Sequence, residues 1–151
     1  MDNGASFIFS PQDLEVVKSH SWSCTKGYIK TTINFKSVYF HKLILGASND
    51  VEVDHINLNR FDNRRSNLRI ASHAENQRNR RAHRDNQSGF KGVCLNTHTG
   101  KYFAYINADK KRTYLGSFAT SVQAAKAYDD AAIILHGEFA RLNFEKEKKY
   151  G

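Results

Sequence analysis

Between Val51 and Arg84 the chain changes its period twice, and this stretch limits what it can fold into more than any other. Val51–Glu52–Val53–Asp54–His55–Ile56 alternates apolar and polar residues, as a half-buried strand does. Asn57 to Ser66 is a polar loop rich in Asn and Arg. Asn67–Leu68–Arg69–Ile70 predicts a short return strand. Ser72 followed by Glu75 is a capping box that opens a polar helix through about Arg81. The predicted order is strand, loop, strand, helix. Asp54–His55 ends the first strand, Asn67 begins the second, and Asn76 falls on the first turn of the helix.

The later part of this stretch, Arg60 to Arg84, carries most of the net charge. The chain of 151 residues has a net charge of +8. From Arg60 to Arg84 there are eight arginines, no lysine, and two acids, Asp62 and Glu75. Guanidinium forks bind phosphate in pairs of parallel hydrogen bonds, which lysine cannot do. This predicts a polyanionic partner, with Arg64, Arg65, Arg69, Arg78, Arg80 and Arg81 toward phosphate.

Two other stretches flank it. Met1 to about Asn49 predicts a small β-rich support. A helix over Pro11–Lys18 is capped by Ser10, strands fall at Trp22–Cys24, Tyr28–Asn34 and Lys36–Phe40, and a helical turn at His41–Leu45 stops at Gly46. Ser88 to Phe144 predicts three strands, Phe90–Leu95, Lys101–Asn107 and Lys111–Gly116, then a helix capped by Ser121 that ends at His136. Ala124, Ala125, Tyr128, Ala131, Ala132 and Leu135 form its buried stripe. Asp85–Ser88 reads as the linker and Glu145–Gly151 as a charged tail. The fold class is α+β, with a first module at 1–84 (core about 51–84), the linker at 85–88 and a sheet–helix module at 89–144.

Period two assigns faces to the second sheet. Tyr102, Ala104, Ile106 and Leu115 face the helix. Lys101, Phe103, Tyr105, Asn107, Arg112 and Tyr114 face outward, joined by Lys91. Exposed aromatics among basic groups fit a nucleic-acid face, or a dimer or interdomain contact. The apolar runs are too short to span a bilayer, and no secretory signal is visible. Cys24 and Cys94 lie far apart, which suits a reducing cytosol and rules out a structural zinc ribbon.

Val53–Asn57, Asp62–Arg69 and Glu75–Asn79 together resemble the HNH nuclease family in its H-N-N variant, which occurs in phage-type homing endonucleases. The resemblance implies a ββα-metal fold that cuts phosphodiesters. It implies His55 as general base and Asn67 as the residue that orients its ring. Asp54 and the amide oxygen of Asn76 would bind Mg²⁺, Mn²⁺ or another divalent ion. His41 reads as structural, His73 faces solvent or phosphate, and Asn63 and Asn79 could order the loop or touch DNA.

Gly89–Val93, Gly100–Tyr102, Leu115–Phe118, Ala124–Asp129 and Gly137–Phe144 resemble the plant ethylene-response-factor type of DNA-binding domain. That resemblance implies a three-stranded sheet laid in the DNA major groove with a helix behind it. Cys94 and Asn96 stand where that family usually carries arginines, so the binding mode is implied without the target sequence. Together these features describe an intracellular, site-directed DNA endonuclease of homing type, monomer or dimer on double-stranded DNA, with no membrane or small-molecule partner. A binding-only regulator and a nonspecific nuclease are the alternatives.

Overall fold

The computed structural model describes residues 6–48 and 50–144, so the charged tail lies outside the described residues. The chain divides into two units, residues 1–77 and 78–151. The division falls ahead of the expected linker. Asp85–Ser88 is instead part of the second unit's structure: Asn86 Nδ2 donates to the carbonyl oxygens of Phe90 at 2.7 Å and Val93 at 3.2 Å, and Ser88 Oγ donates to Asn86 Oδ1 at 2.7 Å.

In the first unit, strand β1 (Ile8–Phe9) leads into a 3₁₀ turn at Pro11–Asp13 and helix α1 (Leu14–Lys18). Pro11 sits at the start, as expected. The Ser10 hydroxyl makes no cap, however, because it accepts the Arg65 backbone N–H at 2.9 Å. Strands β2 (Ser23–Thr25), β3 (Tyr28–Ile33) and β4 (Lys36–Tyr39) form an antiparallel sheet. Helix α2 (Phe40–Leu45) stops at Gly46, whose φ of 64° is left-handed and open to glycine at little cost.

Strand β5 (Glu52–His55) then pairs antiparallel with β7 (Leu68–Ala71), with Asp54 opposite Arg69 and His55 opposite Leu68. The intervening loop is more ordered than its composition predicts. It contains β6 (Asp62–Asn63), which pairs in parallel with β1, and a 3₁₀ turn at Arg65–Asn67. Helix α3 (His73–Arg78) opens on the predicted box: Ser72 N–H donates to Glu75 Oε2 at 2.7 Å and Glu75 N–H to Ser72 Oγ at 3.3 Å. It ends at Arg78 rather than Arg81. Trp22, Ile29, Phe40, Ile44, Val53 and Leu68 form the core, with the Trp22 and Phe40 rings edge to face at 4.9 Å.

In the second unit, β8 (Val93–Asn96), β9 (Lys101–Ala108) and β10 (Lys111–Phe118) form an antiparallel sheet with β9 central. Helix α4 (Ser121–His136) packs on one face. Its cap is Thr120 rather than Ser121. Gln123 N–H donates to Thr120 Oγ1, and Thr120 N–H donates to Gln123 Oε1. Ala124, Ala125, Tyr128 and Ala132 are buried against Val93, Ala104 and Ile106. Leu135, expected in that stripe, is exposed; His136 is buried in its turn and bonds the Asn107 carbonyl oxygen at 2.9 Å.

The alanines let helix and sheet approach closely, and Gly92 sits where they meet. A Cβ there would collide with the Tyr128 ring and lie 2.7 Å from the Tyr105 carbonyl oxygen. Among the described residues no helix is long and apolar enough to cross a membrane.

Candidate active site

Strand β5 ends at the candidate site, and its alternation splits the key residues between two faces. Val53 and His55 point toward the core side, while Glu52 and Asp54 share the other face. His55 is 5% exposed. Its Nε2 lies 3.1 Å from the side-chain oxygen of Asn63. Asn63 Nδ2 donates to the Arg60 carbonyl at 3.1 Å, so its oxygen must be the atom turned toward the ring. An amide oxygen only accepts. Nε2 therefore carries the proton, and the neutral ring holds its basic lone pair on Nδ1.

Rings wall the histidine in. His41 stands edge-on at 5.2 Å and Tyr28 at 6.3 Å, with Tyr39 stacked on His41 at 5.5 Å and the Arg60 guanidinium over Tyr28 at 4.3 Å. Burial lowers the His55 pKa, against the opposing pull of Asn63 and Asp54. Burial, with His55 and Lys42 nearby, pushes His41 down to about 3.

Asn67 does not touch His55. Its Nδ2 donates to the Asp62 carbonyl at 2.7 Å and to Asn57 Oδ1 at 2.9 Å, while its Oδ1 accepts the Asn57 backbone N–H at 2.9 Å. It ties the loop shut, and the loop delivers Asn63. The side-chain contact to His55 expected of Asn67 is made by Asn63. Only the parallel pairing of β1 with β6 puts Asn63 in place, so no local sequence signal marks it.

On the other face, Asp54 is 3% exposed and its Oδ2 accepts from Arg69 Nε at 2.9 Å and Nη2 at 2.7 Å. Asn76 Nδ2 donates to Glu52 Oε2 at 2.7 Å, and His73 Nδ1 lies 2.8 Å from Glu52 Oε1. The hydrogen bond from Asn76, then that from His73, holds the Glu52 carboxyl below the usual range. Glu52 was legible in sequence as the residue two before Asp54 on one alternating strand.

The donors on this face fit the divalent ion that the resemblance implies. Asn76 gives its nitrogen to Glu52 and so turns its amide oxygen away from that carboxylate, and Asp54 is a buried carboxylate whose Oδ2 takes the Arg69 guanidinium. Both are hard oxygen donors. Among the described residues no group of three or more His, Cys, Asp or Glu is placed to hold a metal. A divalent ion on this face would take the carboxylate of Asp54 and the amide oxygen of Asn76 from the protein.

Three of the arginines assigned to phosphate are paired with buried carboxylates of the first unit. Arg64 pairs with buried Asp62 at 2.6 Å and holds its pKa down to about 2, Arg65 pairs with buried Asp13 at 2.7 Å, and Arg69 pairs with Asp54. Arg78 reaches Asp109 at 3.5 Å, while Arg81 is exposed beyond the helix. Lys91 also departs from its expected role. It precedes β8, and its ammonium donates to the Arg78 carbonyl oxygen, where burial lowers its pKa to about 8.

The outward face of the second sheet is as its period predicts. Phe103, Tyr105 and Tyr114 cluster with ring centres 5.3 to 6.5 Å apart. Arg112 lies over Tyr105 at 4.0 Å, and Lys101 and Asn107 are exposed at the edges. Tyr114 is 53% exposed although it is a large aromatic.

The first unit thus holds a strand–loop–strand–helix with an Asp–His pair at the end of its first strand. Residues 45–78 match a family model described as HNH endonuclease. The chain is also similar to plant transcription factors. It is 40% identical over 68 residues to APETALA2-like protein 2 of Oryza sativa, covering 45% of this chain and 16% of that protein. It is 54% identical over 37 residues to dehydration-responsive element-binding protein 2E of Arabidopsis thaliana, 24% of this chain and 15% of that protein. Ethylene-responsive transcription factor ERN3 of Medicago truncatula is 36% identical over 86 residues, 56% of this chain and 33% of that protein. The matched segments span a third or less of these relatives' own lengths. The chain joins an HNH-endonuclease-type unit to a domain of the ethylene-response-factor type.

Proposed function

We propose that this protein is a DNA endonuclease whose first unit hydrolyses phosphodiesters and whose second unit holds it at preferred sites. The observation that carries the reading is His55: a neutral imidazole with a fixed tautomer, beside Asp54 at the end of β5. Nδ1 takes a proton from water as its oxygen attacks phosphorus. The P–O3′ bond then breaks and the departing oxygen is protonated, leaving 5′-phosphate and 3′-hydroxyl ends. Asn63 holds the ring, and Asn67 holds the loop that carries Asn63. Asp54 and the Asn76 oxygen would hold Mg²⁺ or Mn²⁺, which when bound neutralises charge at the phosphate.

The second unit contributes Lys101, Tyr105, Asn107, Arg112 and Tyr114 toward the DNA. Base-edge contacts there set preference, and the tether raises the nuclease's local concentration. Arg80 and Arg81 serve as phosphate contacts. A single site on a monomer nicks one strand, and a double-strand break takes two copies or two events. A homing role inside a cell, phage-encoded or otherwise, accords with the H-N-N pattern.

The test is supercoiled plasmid at low salt with wild type and His55→Ala, with and without Mg²⁺ or Mn²⁺. Metal-dependent open circle from wild type alone is expected, with His55→Ala slower by a factor on the order of 10²–10⁴ while still binding. A binding-only protein is the second reading, favoured by the Arg69 guanidinium on Asp54. A salt-sensitive mobility shift with no cleavage under any metal would establish it.

A further inference from the structure

The β3–β4 hairpin carries a feature that neither the core nor the site uses. Its turn is Asn34–Phe35, with φ of 49° and 62°. Two successive left-handed residues define the hairpin turn that suits Asn-Gly, because only glycine takes the second position without steric cost. Phe35 takes it instead, and it is fully exposed, at 103%. A large apolar ring in a strained backbone, buried against nothing, gains the fold no stability.

The surroundings are those of a polyanion site. From Ser19 to Asn49 the sequence has no Asp or Glu, but has Lys26, Lys30, Lys36 and Lys42. Lys30 pairs with Tyr39 and Thr32 with Ser37, giving one face of the hairpin hydroxyls and an ammonium, and Lys36 directly follows Phe35. The base of the same hairpin is seated at the candidate site, through Tyr28 beside His55 and Tyr39 on His41. The six residues of β3 rise about 3.3 Å each, so the tip stands roughly 20 Å along the strand from Tyr28, about six base-pair steps.

The geometry points to a wedge: Phe35 inserts between base pairs of bound duplex DNA and clamps it beside the nuclease site. Apolar wedges act this way by unstacking a step and kinking the duplex, and flanking lysines hold the backbone. The inference rests on the DNA-cleaving reading above and assigns a partner to the N-terminal sheet.

The test uses the full chain in EDTA, with relaxed closed plasmid and a metal-independent topoisomerase. Inserted wedges unwind DNA and shift the topoisomers. Wild type and Phe35→Trp are expected to unwind. Phe35→Gly, which relieves the turn, is expected to bind duplex roughly 5- to 100-fold more weakly and to leave the topoisomers unchanged at matched occupancy. A melting temperature for Phe35→Gly at or above wild type shows that folding is intact. Equal unwinding by Phe35→Gly and wild type, or binding by wild type without unwinding, overturns the wedge. A mobility shift run alongside separates the two claims, since absence of any duplex binding would overturn the DNA reading itself.

Discussion

The side-chain oxygen of Asn63 sits 3.1 Å from Nε2 of His55, and Asn63's nitrogen is spent on the Arg60 carbonyl. An amide oxygen at this position favours the proton on Nε2 and so bears on which ring nitrogen can accept one. Removing it in Asn63→Ala should slow cleavage roughly 10- to 100-fold with little change in DNA affinity. Imidazole ¹⁵N spectra of the variant should show mixed tautomers where wild type shows Nε2–H. A single unchanged tautomer in the variant would remove Asn63 from this role.

Asp54 and Arg69 make a buried pair whose disruption should be costly. Arg69→Ala leaves the Asp54 carboxylate without its guanidinium and should cost about 3–5 kcal/mol in chelator. Added Mg²⁺ should restore part of that loss, raising the melting temperature more in Arg69→Ala than in wild type. Equal shifts in both proteins would mean that Asp54 does not bind the ion.

His41 predicts the acid limb of stability. Its folded pKa of about 3 lies below the ordinary 6.5, so between those values the unfolded chain binds the extra proton. Stability is complete above pH 6.5 and falls as pH drops toward 3, by an amount on the order of a few kcal/mol. His41→Phe should flatten that slope in denaturant titrations at pH 7, 5 and 4. An unchanged slope would assign the acid sensitivity to other groups.

Gly92 tests the helix–sheet approach in the second unit. Gly92→Ala forces a Cβ into the Tyr128 ring at a φ of 75° and should destabilise that unit by about 3 kcal/mol or more. Loss of the second unit's transition in calorimetry, with the first unit's transition retained, is the expected result. Gly89→Ala also has a positive φ but meets nothing within 4 Å, and it should cost much less.

Much of this architecture was legible because it rests on short-range physics. The alternation of Glu52–His55, the Ser72–Glu75 box, the Gly46 stop and the inward set Ala104, Ile106 and Leu115 depend on neighbours a few residues away. Their energetics are present in any local window. The cap of α4 was misplaced by one residue because Thr120 and Ser121 are chemically alike, and only the reciprocal Gln123 bonds distinguish them.

By itself, the sequence determined two units, their strand and helix order, and the placement of Asp54, His55 and Asn76 on one strand–loop–strand–helix. Only the tertiary structure decided which asparagine meets His55 and which arginines pair with buried carboxylates. Arg65 found Asp13 across 52 positions, and Asn63 reached His55 because β6 pairs with β1. A buried carboxylate must take whichever cation the fold brings within reach, and a buried imidazole whichever acceptor. Those partners are set by chain crossings that no local pattern encodes.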